Sequence, residues 1–169
     1  IKFNGSSVPA HSKIASAILK LYFYNSTIND THTLNLSARR IKSYWSDTNV
    51  TWNTRPEYTA SYSDKVSLTN NYGWVEWNVT SIVDSWARLD SKNYGFALVP
   101  DAGHADTDKR FISSNYAQNT NLHPVLDVNY SAYDAPNVTM RWPLNATQHG
   151  DGKLVVAYSV SNGYGPIVN

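Results

Sequence analysis

Two tryptophans bracket a polar turn in Trp45-Ser46-Asp47-Thr48-Asn49-Val50-Thr51-Trp52-Asn53-Thr54-Arg55-Pro56. Around this segment the cationic side chains are Arg39, Arg40, Lys42, Arg55, Lys109 and Arg110. Indole faces suit the apolar C–H face of a pyranose ring, with polar groups at the rim satisfying its hydroxyls. A guanidinium adds a planar, two-pronged grip on a carboxylate. These residue types therefore suggest recognition of a sugar chain, and of an acidic one if the cations gather in one place. Arg39, Arg40, Arg55 and Arg110 are the candidates for gripping ligand carboxylates. They form a single patch only if the strands at 34–41 and 110–114 are neighbours. Otherwise they are solvated charges, or pair structurally with acids.

Parity along the strands sorts the tryptophans. Trp77 shares a face with Val75 and Val79 and belongs in the core, while Trp74 points with Glu76 and Asn78. Trp74 and Glu76 thus form the best exposed stacking platform. Trp52 shares parity with Val50 and is expected inside, Trp86 lies on an apolar helix face, Trp45 is open to either placement, and Trp142 falls in the C-terminal tail. Asp101, Asp106 and Asp108 crowd one loop with His104, a weak calcium candidate whose spacing matches no EF-hand. No other cofactor is indicated.

Catalytic signatures are missing. Glycan hydrolysis commonly needs two carboxylates in different environments, and the chain has only Glu57 and Glu76 as glutamates, with aspartates mainly in turns. The five histidines have no metal-ligand spacing, and neither a Gly-x-Ser-x-Gly elbow nor a phosphate-cradling glycine loop occurs. A binding role is expected rather than an enzymatic one.

The elements that must position these groups read as all-β. Residues 14–24 alternate, with Ala17, Leu19, Leu21 and Phe23 on one face and Ile18, Lys20, Tyr22 and Tyr24 on the other. Further strands are expected at 34–41, 73–79, 95–99, 110–114 and 124–130, bounded by turn residues. Many short strands at this spacing predict an antiparallel β-sandwich of jelly-roll type. One short helix is predicted over 81–89 from Ile82, Val83, Trp86 and Leu89. Ser81 and Asp84 are its capping box, and Asn93-Tyr94-Gly95 is its left-handed stop.

Composition sets the outer bounds. A chain of 169 residues fits one domain with its own core. A formal charge of +1 and no basic stripe argue against nucleic acid as partner. No apolar run is long enough to enter a membrane as a helix, and the absence of cysteine excludes disulfides and thiolate metal sites. Nine Asn-x-Ser/Thr sequons occur where chance gives roughly three to four, pointing to an extracellular or cell-surface location. The start at Ile1 without a signal peptide suggests a mature product or a fragment of a longer chain, with neighbouring domains. Residues 132–169 hold two strand candidates, 138–142 and 154–160. They are expected to pack onto the sandwich formed by 1–131, because a lone two-stranded piece is marginal in water.

Seven pieces in order carry a resemblance. They are Ile1-Lys2-Phe3 running to Val8-Pro9, Ile14 through Tyr22, Trp45 through Pro56, Trp77-Asn78-Val79-Thr80-Ser81-Ile82-Val83-Asp84-Ser85-Trp86, Asn93-Tyr94-Gly95-Phe96, Phe111-Ile112-Ser113-Ser114, and Pro124 through Tyr130. The chain resembles the DNRLRE-type domain, or carbohydrate-binding module family 96, related to the disaggregatase repeats of methanogenic archaea. The resemblance covers about residues 1–131. It implies a secreted β-sandwich appended to polysaccharide-degrading or surface proteins, and for some members an acidic, uronate-containing ligand. Strands that family members carry upstream of the Ile1 region are not in this stretch, so either they lie outside it or residues 134–169 replace them. Asn115 stands where an acidic residue is common. The competing reading is a structural or adhesive module, and exposed aromatics beside basic groups separate the two. A further alternative is an accessory part of a degrading enzyme such as disaggregatase.

Overall fold

The computed structural model describes residues 1–5, 8–26, 33–101 and 108–131, and the tail beyond, with its two strand candidates and Trp142, lies outside them. Alternation makes the longest strand, β1 (Lys13–Ser26), which buries Ala17, Leu19, Leu21 and Phe23 while Ile18, Lys20 and Tyr22 face outward. There follow β2 (Leu34–Arg40), β3 (Asp64–Leu68), β4 (Gly73–Asn78), α1 (Thr80–Ala87), β5 (Phe96–Pro100), β6 (Lys109–Phe111) and β7 (Val125–Ser131). A 3-10 turn spans Thr120–Leu122.

All pairings are antiparallel. In the first sheet β1 takes β4 along one edge and β7, then β6, along the other. The second sheet runs β3-β2-β5. Their inner faces meet through Leu19, Leu21, Phe23, Val75 and Trp77 from one side and Leu34, Leu36, Ala38, Leu68 and Phe96 from the other. Trp77 is 0% exposed, and its indole N–H donates to the Leu36 carbonyl at 2.9 Å, a hydrogen bond that crosses from sheet to sheet. The expected all-β sandwich with one short helix is the architecture found.

Several details depart from the sequence reading. β3 is an additional strand, because only Val66 and Leu68 mark it among charged and hydroxylated neighbours. The helix begins at Thr80 and its junction residue Val79 caps with no side chain, so Ser81 and Asp84 are not a capping box. Asn78 Oδ1 instead accepts from the Thr80 amide at 3.1 Å and the Thr80 hydroxyl at 2.7 Å. Ser81 shares a hydrogen bond with Ser63, and Asp84 pairs with Arg88 at 2.8 Å. The helix stops at Leu89, whose φ of 65° is left-handed and whose side chain is exposed rather than on the buried face. Trp86 is half-buried, its ring 4.9 Å from that of Phe96.

Gly95 has a separate task. Ile1 and Phe96 exchange both backbone hydrogen bonds, at 2.8 and 2.7 Å, so the Ile1 backbone lies directly against Gly95. A Cβ there would sit 2.3 Å from the Ile1 carbonyl oxygen, and the φ of 94° is one L-residues rarely adopt. Gly95→Ala is expected to cost about 2 kcal/mol or more from backbone strain and displacement of Ile1 together. A lowered denaturant midpoint with unchanged slope would register it.

Candidate functional site

On the outer face of the β3-β2-β5 sheet, pairing register places Ser37 and Arg39 of β2 beside Lys65 of β3 and Ala97 and Val99 of β5. Ser37 is fully buried because Arg39 lies over it. Its hydroxyl donates to the Val99 carbonyl at 2.9 Å and accepts from Arg39 Nε at 3.1 Å. Arg39 Nη1 also donates to the carbonyls of Thr59 and Ala60. These bonds tie the long connection between β2 and β3 to the sheet and fix the guanidinium near two rings, 5.8 Å from Tyr58 and 5.9 Å from Tyr62. Lys65 lies 5.0 Å from the Tyr62 ring centre and 3.0 Å from Asp101. The Lys65 hydrogen bond, working against partial burial, holds the Asp101 carboxyl below the usual range.

The connection then folds a polar turn outward. Its amides and hydroxyls satisfy one another: Asn49 and Val50 donate to the Ser46 carbonyl, Thr51 and Thr54 hydroxyls meet at 2.9 Å, and Thr54 donates to the Asn49 carbonyl. Trp45 pins one end, its indole N–H donating to the Tyr94 carbonyl at 2.7 Å. The Ile41–Tyr58 bridge pins the other. Parity fails inside this turn because the backbone is not extended, and Trp52 is 77% exposed rather than buried. The Arg55 guanidinium lies 4.2 Å from the Trp52 ring centre and donates to the Trp52 carbonyl at 2.6 Å. Between the turn and β5 runs a groove of about 330 Å³ lined by Trp52, Arg55, Pro56, Tyr58, Ala97 and Val99.

Arg39 thus lies near the Tyr58 ring, and Arg55 shares the groove lining with Tyr58. Among the described residues neither arginine forms a salt bridge, although the Asp101 carboxylate held by Lys65 also interacts electrostatically with Arg39. A guanidinium placed over a ring and free of a salt bridge can accept an incoming carboxylate without first breaking one.

The other predicted residues do not join this group. Arg40 follows Arg39 in β2, and alternation sends its side chain to the opposite face. Lys42 pairs with Glu57 at 3.0 Å. The condition for a single basic patch is not met, because β2 and β6 belong to different sheets. Arg110 is bound by Asp108 at 2.6 Å, and Lys109 donates to Ser26 and Asn70 at 3.1 Å each. Trp74 does stand outward, 42% exposed and edge-on to Tyr22 with centroids 5.5 Å apart, but on the first sheet. Glu76 shares that face and pairs with Lys20 at 3.2 Å, while Asp127 reaches Lys20 at 2.9 Å. These two acids, Asp127 first, raise the Lys20 pKa.

Of the calcium candidates, Asp101 and Asp108 are each engaged by a cation, and Asp106 lies outside the described residues. No cluster of three or more His, Asp or Glu side chains forms among the described residues. Sequence reasoning missed Trp52, Tyr58, Tyr62 and Lys65 as site residues. The three-residue spacing of Trp52 and Arg55 was the available signal.

Among known proteins, the model described as carbohydrate-binding module family 96 matches residues 1–130. The tRNA nuclease WapA of Bacillus subtilis (strain 168) is 29% identical over 131 residues, 78% of this chain and 5% of that protein. The tRNA3(Ser)-specific nuclease WapA of Bacillus spizizenii matches with the same identity and coverage. The chain therefore spans about 5% of the length of these curated relatives. No solved structure matches the chain.

Proposed function

Since the chain belongs to carbohydrate-binding module family 96, we propose that it is a non-catalytic module that holds a uronate-containing polysaccharide, as an accessory segment of a longer secreted or cell-surface protein. The observation that carries the acidic specificity is the pair of guanidinium groups, Arg39 and Arg55, which lie over aromatic rings and form no salt bridge among the described residues. The glutamates support a non-catalytic role, since Glu57 pairs with Lys42 and a single cation, Lys20, bridges Glu76 to the nearby acid Asp127. Relatives in which the matching segment is a small share of a long chain, in proteins named as tRNA nucleases, support its reading as an attachment.

Affinity electrophoresis of the chain through gels containing polygalacturonate or alginate tests this. Retardation is expected, weakening as salt rises because the contacts are ionic and exposed. Unimpeded migration through every acidic polymer would leave the structural or adhesive module as the better reading.

A further inference from the structure

The outer face of the first sheet, across the sandwich from Arg39, has a different chemistry. Tyr22 and Trp74 are direct partners in the β1–β4 register, and Tyr24 continues the same face of β1. Trp74 and Tyr24 are both exposed. Around them Lys20 is shared by Glu76 and Asp127, which leaves that trio with a net negative charge, and Arg110 is gripped by Asp108. A uronate approaching Trp74 would meet Glu76 and Asp127 with their shared cation already engaged. An uncharged pyranose meets no such opposition. It can lay its C–H face on the indole and donate hydroxyl hydrogens to the Glu76 and Asp127 carboxylates.

We propose that this face is a second binding site, specific for uncharged polysaccharide, so that the domain engages an acidic chain and a neutral chain on opposite sides. The inference rests on reading the domain as a sugar binder but assigns a separate surface and ligand class. It follows from the charge pairing: Arg39 and Arg55 are left open for an anion, while Lys20 and Arg110 are closed to one.

The test is affinity electrophoresis of the full chain through hydroxyethyl cellulose, galactomannan and laminarin, with polygalacturonate in parallel. The wild type is expected to be retarded by at least one neutral polymer. Trp74→Ala should weaken that interaction roughly tenfold or more and leave polygalacturonate affinity within about twofold, with Trp74→Phe recovering part of the loss. The double variant Arg39→Ala/Arg55→Ala should show the reverse pattern. Thermal melts establish that Trp74→Ala is folded. Retardation by polygalacturonate alone overturns the second site and leaves the first intact. Loss of neutral-polymer binding in the arginine variant but not in Trp74→Ala also overturns it. Binding to neither class removes the sugar-binding reading itself.

Discussion

Replacing Arg55 with alanine is expected to weaken polyuronate binding by roughly 10- to 100-fold. A hydrogen bond to a charged group is worth about 1.5–3 kcal/mol, and each 1.4 kcal/mol is a factor of ten in affinity. Among the described residues Arg55 has one hydrogen bond, to the Trp52 carbonyl, and it lines the groove. Arg55→Lys should recover only part of the loss, because an ammonium keeps the charge without the planar fork or the stack on Trp52. Arg39→Ala should weaken binding by a similar factor but also lower thermal stability, since Arg39 holds the Thr59 and Ala60 carbonyls. Isothermal titration at two salt concentrations, with melting curves alongside, separates the two arginines. Equal affinity for wild type and Arg55→Ala would remove the site from the β5 groove.

The largest effect on stability belongs to Trp77. Trp77→Ala is expected to cost about 3–5 kcal/mol from lost burial and the cavity left behind. A further contribution of about 1 kcal/mol comes from the Leu36 carbonyl, which loses the indole donor in a buried setting. Against a total stability of about 5–15 kcal/mol, this variant is expected to populate unfolded chain at physiological temperature. Trp77→Phe keeps most of the apolar contact with Phe111, whose ring centre lies 6.1 Å away, and should cost less than half as much. Urea titration of the two variants measures the difference. Equal losses would mean that the inter-sheet hydrogen bond and indole volume contribute little.

Where the backbone is extended, two-residue alternation made burial legible. Leu19, Leu21, Phe23, Val75 and Trp77 are inside as expected, and Lys20, Trp74 and Glu76 are out. Alternation assigns a face, however, and says nothing about which sheet a strand joins. Arg39 and Arg110 were therefore grouped by composition and are separated by topology. The same rule misplaced Trp52, because residues 46–55 close on their own hydroxyl and amide hydrogen bonds instead of pairing as a strand. Tyr58 and Tyr62 gather near Arg39 through long-range bonds, among them those of Arg39 to the Thr59 and Ala60 carbonyls and the Ile41–Tyr58 bridge, that no local pattern encodes. β3 went unread for a related reason. Its inward residues are few, and its pairing partner β2 supplies the order that its own sequence lacks.

The central position of β1 sets a constraint on how the molecule is made. This strand needs β4 on one flank and β7 on the other, and β7 comes at the far end of the described chain. During synthesis β1 therefore leaves the ribosome early and waits, apolar and with open edges, until its last neighbour has emerged. Such non-local pairing predicts slow folding, and an interval in which this segment is prone to join the wrong strand, from its own chain or another.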